Sequence, residues 1–243
     1  MAPSVTGTAP SRPDQQASEP VGYDLRTSTV REVNRALHAP DAPARALITA
    51  PQGAHALACG LDAELEVTID GHVGYYCAGM NQRAHVTITG NAGVGVAENM
   101  MSGSVRVRGD ASQSAGATAH GGLLVVEGNA AARCGISMKG IDIVVGGDIG
   151  HMSAFMGQAG RLVVCGNAGE ALGDSLYEAR IYVRGDVASL GADCVQKPMR
   201  EEHRAELAEL LAAAGFDADP AGFRRYGSAR RLYNFHVDNA SAY

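Results

Sequence analysis

A glycine followed by Asn or Asp, and once by His, recurs every 19 residues without insertion or deletion: Gly71-His72, Gly90-Asn91, Gly109-Asp110, Gly128-Asn129, Gly147-Asp148, Gly166-Asn167 and Gly185-Asp186. An unbroken internal period is the strongest constraint a sequence can place on its fold, because each repeat must be one structural unit stacked on the next. Two residues before each Gly stand Ile69, Ile88, Val107, Val126, Val145, Val164 and Val183, and two residues earlier Val67, Val86, Val105, Leu124, Ile143, Leu162 and Ile181. Apolar, mostly β-branched residues two apart spell a short strand. Seven after the Gly stand Ala78, Ala97, Gly116, Gly135, Ala154, Gly173 and Ala192, a return path of small residues. A strand plus a crossover helix needs roughly 30 residues, so the period excludes a βαβ unit. The reading is an all-β solenoid: a right-handed parallel β-helix of seven 19-residue coils over residues 65–198, with helical caps at both ends.

The corner carries its own electrostatics. Side chains in one phase stack about 4.8 Å apart, and a column of Asp would repel itself. The order His, Asn, Asp, Asn, Asp, Asn, Asp places an amide between successive carboxylates. That order predicts a hydrogen-bonded amide–carboxylate ladder and argues against a calcium-binding repeat, which uses a nine-residue unit. The glycine itself is read as supplying a backbone angle that other residues resist.

The flanks divide the rest of the chain. Residues 1–20 are rich in Pro, Ser and Gln and read as a disordered arm. Residues 21–64 hold a helix opened by Thr29 and Glu32 at capping-box spacing, with Val30, Val33 and Leu37 on one face. An imperfect coil follows, in which Ile48 and Ala50 take the core phases and Gln52 replaces the corner Gly. Residues 199–216 form a second helix, ended by Gly215 and expected to cap the far end. Residues 217–243 form a tail with Arg224, Arg225, Arg230 and Arg231 among aromatics. These arginines are candidates for contact with an acidic partner face or a phosphate.

One outward phase changes along the rod. Three residues before the corner the sequence runs Thr68, Thr87, Arg106, then Val125, Val144, Val163 and Tyr182. An outward apolar stripe needs cover, supplied either by the C-terminal tail or by a subunit interface.

Chemistry is sparse. The formal charge of −6 argues against a nucleic-acid binder. Five cysteines without a CxxC pair read as reduced thiols of a cytoplasmic protein. No stretch of 18 apolar residues suggests a membrane span. The histidines inside the coils, His72, His85, His120 and His151, occupy four different phases. No HExxH, GxSxG or Walker sequence is present, and no catalytic, cofactor-binding or metal-ligating residue is assigned.

The stretches GYYCAGMNQRAHVTITGNAGVGVAENMMSGSVRVRGDA and AHGGLLVVEGNAAARCGISMKGIDIVVGGDIGHMSAFMGQAGRLVVCGNAGEALGDSLYEARIYVRGD resemble the GXGXG domain that ends glutamate synthase and that occurs as a free-standing chain in formylmethanofuran dehydrogenase. A free chain of this size opening on YDLRTSTVREVNRALH looks most like the small GXGXG component of N-methylglutamate synthase. The resemblance implies a hetero-oligomer of methylamine metabolism. One partner would resemble a glutamine amidotransferase, and the other an FMN- and iron–sulfur-bearing synthase. Together they would convert methylamine and L-glutamate to N-methyl-L-glutamate and ammonia. The GXGXG part carries no catalytic residue in this family; it braces the two partners and shapes the path of the amine. Three alternatives stay open: an ammonia-dependent glutamate synthase, a formyltransferase/hydrolase or formylmethanofuran dehydrogenase assembly, and a stand-alone carbohydrate-active β-helix.

Overall fold

The computed structural model describes residues 19–231. Most of the arm at 1–20 and the tail beyond Arg231 lie outside them. The described residues form a parallel β-solenoid with two α-helices. Strands β1 (Val21–Asp24), β2 (Arg45–Thr49), β3 (Glu66–Asp70), β4 (His85–Ile88), β5 (Ser104–Val107), β6 (Leu123–Val126), β7 (Lys139–Val145), β8 (Ala159–Val164) and β9 (Arg180–Val183) pair in sequence order, all parallel. From β3 to β9 the two apolar phases fall into register, as in Val67–Val86–Val105–Leu124 and Ile69–Ile88–Val107–Val126, and all of these are buried. A second parallel ladder links Val73, Ala92, Ala111, Ala130, Ile149, Ala168 and Val187 on the far side of the corner.

The return path explains the small residues. In six successive coils the fifth, seventh and ninth residues after the corner Gly have positive φ, beginning with Tyr76, Ala78 and Met80 and then Gly95, Ala97 and Asn99. Left-handed backbone costs a non-glycine residue about 1–2 kcal/mol. Hydrogen bonds between coils offset that cost. The Tyr76 N–H donates to Val94 O on the next coil (2.8 Å), the Ala78 N–H to Leu57 O on the previous one (2.9 Å), and the Met80 N–H to Glu98 O on the next again (2.8 Å). The middle position points into the core, where space is short: a Cβ on Gly116 would come within 2.7 Å of Ile143 Cδ1.

The N-terminal coils depart from the period. Val21 pairs with Ala46 and Ala46 with Val67, so these steps are 25 and 21 residues long. The core pair of the first full coil is therefore Ala46 and Ile48, both buried, and not Ile48 and Ala50. Ala50 and Gln52 both have positive φ, because Pro51-Gln52-Gly53 makes a wider corner that absorbs the two extra residues. Helix α1 (Val30–Leu37) replaces a return path and closes this end of the core with Val33 and Leu37. Its capping box is complete: the Thr29 N–H donates to Glu32 Oε2 (2.7 Å) and the Glu32 N–H to Thr29 Oγ1 (3.3 Å). Asn34 fastens the helix to the coil beneath, donating from Nδ2 to Ala56 O and accepting at Oδ1 from the Ala58 N–H, both at 2.8 Å.

The far end differs from expectation. Helix α2 (Glu201–Ala214) does not cap the rod; it lies across its outward face. The parallel ladder is closed instead by two antiparallel pairings. Strand β11 (Arg224–Ser228) inserts between β9 and β10 (Cys194–Lys197), pairing antiparallel with each. The segment read as a free basic tail thus supplies a sheet strand. Reversing direction leaves no parallel edge for another coil to extend. Among the described residues no helix is long and apolar enough to cross a membrane.

Candidate functional site

The regular corner column is the most repeated feature of the molecule, and each part of it has a structural task. Only Gly71 among the corner glycines has positive φ (135°). The other six are glycine because of crowding: a Cβ on Gly90 would sit 2.6 Å from Gly71 C, and one on Gly185 2.5 Å from Asn167 Oδ1. From Gly90 onward the backbone N–H of each corner Gly donates to the carbonyl of the corner below, from Gly90 to Gly71 O (3.2 Å) through Gly185 to Gly166 O (2.9 Å). Alongside, each Asn or Asp from Asn91 to Asn167 accepts at its side chain from the backbone N–H of the next coil's equivalent residue. Asp110 N–H donates to Asn91 Oδ1 (3.0 Å), Asn129 N–H to Asp110 Oδ1 (2.7 Å), Asp148 N–H to Asn129 Oδ1 (2.8 Å), Asn167 N–H to Asp148 Oδ1 (2.7 Å) and Asp186 N–H to Asn167 Oδ1 (2.9 Å). His72 begins the column, accepting at Nδ1 from Asn91 N–H (2.9 Å). Amide-to-carboxylate bonds appear where Asn follows Asp: Asn129 Nδ2 donates to Asp110 Oδ1 (3.2 Å) and Asn167 Nδ2 to Asp148 Oδ1 (3.1 Å). The column joins coils; it does not converge on a point in space.

The apolar stripe is spent inside the chain. Val125, Val144, Val163 and Tyr182 are at most 2% exposed, packed under Leu207, Leu210, Leu211 and Ala214 of α2 and under Phe223. They form a second core outside the coil, so they are unavailable as a subunit interface, and the cover is α2 together with Phe223 from the start of the segment read as a tail. Polar groups pin the helix. Glu206 accepts at Oε1 from Tyr182 Oη (2.7 Å) and at Oε2 from Arg180 Nη1 (2.7 Å), with Arg161 Nη1 at 3.7 Å. Arg161 also pairs with Asp142. Arg106 Nη2 donates to Ala214 O at the helix C-terminus (2.8 Å). Burial, reinforced by the Glu206 carboxylate, pushes the Tyr182 hydroxyl pKa up.

The arginines are divided between strand and loop. Arg224 donates to Gly185 O and lies 3.6 Å from Asp186, at the end of the corner column. Arg225 Nε donates to Pro198 O (3.1 Å). Arg230 Nη2 is 3.7 Å from Glu178 Oε1, and the Arg231 N–H donates to Asp193 Oδ1 (3.0 Å). Arg224, Arg225 and Arg230 meet groups of this chain through their side chains, Arg231 through its backbone.

The thiols form no disulfide. All five are free, four of them buried. Burial pushes the Cys134 thiol to about 12 and Cys194, near the Asp193 and Asp174 carboxylates, also to about 12. No three His, Cys, Asp or Glu side chains converge to hold a metal among the described residues.

Sequence reasoning missed Asn81. It is fully buried, and its Nδ2 donates to Ala84 O (2.8 Å) and Ser102 O (3.0 Å), clipping two coils together. The following coils put Met100, Ala119 and Met138 in this phase, and that polar exception in an apolar column was the available signal.

No protein-family profile matches the chain, and no solved structure matches it. Among curated proteins it is similar to Protein GlxC of Rhizobium meliloti (strain 1021), 62% identical over 224 residues that cover 90% of this chain and 98% of that protein. With that identity along nearly the full length of both, the chain belongs to the family of Protein GlxC.

Proposed function

We propose that this chain is the non-catalytic brace of a glutamate synthase-like complex, and within that class of N-methylglutamate synthase. In this reading it holds an amidotransferase-like subunit against an FMN- and iron–sulfur-bearing synthase subunit in the cytoplasm. FMN and the cluster belong to the synthase partner. The brace fixes the separation of the two partner sites and lines part of the route by which the amine passes between them.

The observation that carries this reading is how the chemistry-bearing side chains are spent. Asn91, Asp110, Asn129, Asp148 and Asn167 each accept the backbone N–H of the next coil's equivalent residue. Glu206, Arg161 and Arg180 lock α2 to the sheet, and four of the five thiols are buried. Such an object offers stiffness and surface, which is what a brace between two enzymes needs. The repeat-level resemblance to GXGXG domains supplies the class of complex.

Affinity capture of the tagged chain from its native cells, with FMN and iron quantified in the eluate, tests the reading. Recovery of amidotransferase-like and synthase-like subunits with stoichiometric FMN is the expected result. Recovery of amidohydrolase and formyltransferase subunits, or of the chain alone, overturns it.

A further inference from the structure

Where β11 meets the end of the rod, a cleft of about 540 Å3 opens between the Tyr177–Glu178 loop, the start of β8, the first turn of α2 and the β10–β11 pair. Its lining gathers Arg180, Lys197, Arg225 and Arg230 around a single carboxylate, Glu178, with His203 at one side. The whole chain is net negative, with a formal charge of −6, so this concentration of cations runs against the global sign. Internal pairing does not neutralise it. Arg180 is matched by Glu206 at 2.7 Å and Arg230 by Glu178 at 3.7 Å, which leaves the charges of Lys197 and Arg225 uncompensated within the cleft. Burial lowers the Arg225 pKa, Tyr182 and the Glu206 carboxylate oppose the shift, and the neighbouring Arg180 and Arg200 charges add to it. The one carboxylate is partly open to the cleft, its side chain 22% exposed, while its Oε1 is buried without a hydrogen-bond partner. Burial pushes its pKa up despite Arg230 and Arg180.

A ligand that answers all of this must bring two negative charges for Lys197 and Arg225 and a donor for Glu178. Guanidinium and ammonium groups both recognise carboxylates, the former through two parallel bonds. The cleft volume falls in the range of small-molecule sites. We propose that this cleft binds a small organic dicarboxylate that also carries a hydroxyl or ammonium donor, its carboxylates on Lys197 and Arg225 and its donor on Glu178. The site stands on its own lining and does not depend on the chain being a brace, so either reading can fail without the other.

Titration calorimetry of the purified full-length chain with L-malate, succinate and inorganic phosphate tests it. L-malate is expected to bind, and succinate, which lacks the donor, to bind more weakly. K197Q and R225Q should each weaken L-malate by about tenfold or more, the cost of losing one charged hydrogen bond. E178A should abolish the preference for L-malate over succinate. The Lys197 stem passes over Gly227, where an added Cβ would sit 3.7 Å from its Cγ. Its truncation removes little packing, and K197Q carries the test if R225Q fails to fold. No binding of either dicarboxylate, unchanged affinity in K197Q, or phosphate binding as tightly as L-malate would overturn the proposal.

Discussion

Gly128 shows what a repeated residue is for. Its φ lies outside the left-handed region, yet a Cβ there would lie 2.8 Å from Gly109 O and 3.0 Å from Gly109 C, both backbone atoms that cannot step aside. Gly128→Ala should cost about 2–4 kcal/mol in chemical denaturation, as overpacking against fixed atoms does. Gly22→Ala, with nothing within 4 Å of the added carbon, should be close to neutral. Equal effects at the two positions would remove crowding as the reason for the corner glycine. The charge alternation beside it makes a separate prediction. Asn129→Asp would put carboxylates on three successive coils and lose the amide donation to Asp110 (3.2 Å). The variant should lose about 1 kcal/mol at low ionic strength and recover part of it in salt. A salt-independent loss would show that the missing hydrogen bond, and not repulsion, is what matters.

Elements were legible to the extent that they follow the 19-residue period. Strands β3 to β9 sit where Val and Ile alternate before each Gly, because a buried strand writes its own pattern. Helix α1 was legible from Thr29 and Glu32, whose side chains close the capping box. What escaped were contacts between elements far apart in sequence. Nothing local in Glu201–Ala214 says that Leu207 and Leu211 face Val144 and Val163 rather than the rod's end. Nothing in Arg224–Ser228 announces a strand, since arginines and a glycine mask one buried Tyr226. The stripe and its cover make a prediction at this scale. Val144 is fully buried beneath α2, so Val144→Asp would place an unpaired carboxylate in the second core. It should destabilise by about 3 kcal/mol or more and make α2 accessible to proteolysis. Retention of both stability and protection would mean that α2 does not seal the stripe.

The first turn of α2 also sets a pH dependence. His203 accepts at Nδ1 from the Arg200 N–H (3.1 Å), which requires the neutral ring. Burial lowers its pKa, and the Arg225 charge adds to the effect. A depressed imidazole pKa means that the unfolded chain binds the proton more readily than the folded one. The contribution is therefore whole above the ordinary value near 6.5 and is lost as pH falls through the depressed value. Thermal midpoints of the wild type should drop between neutral and mildly acid pH by more than those of His203→Gln. Identical pH profiles would contradict a role for this histidine.

At the scale of the molecule, nine parallel strands about 4.8 Å apart make a rod about 38 Å long. It is closed by α1 at one end, by the antiparallel β9–β11–β10 arrangement at the other, and flanked by α2 along its side. Three kinds of inter-coil ladder run its length: the strands, the corner glycines with their Asn and Asp neighbours, and the left-handed return path. A body held this way bends little, and that stiffness is the physical basis for reading it as a brace between two catalytic partners. The most direct test is turnover of methylamine and L-glutamate by three preparations: the isolated chain, the two partner subunits without it, and the reconstituted assembly. A brace gives no turnover by the isolated chain, weak or uncoupled turnover by the partners, and full activity only when the chain is restored. Turnover by the isolated chain, or full activity without it, would contradict that role.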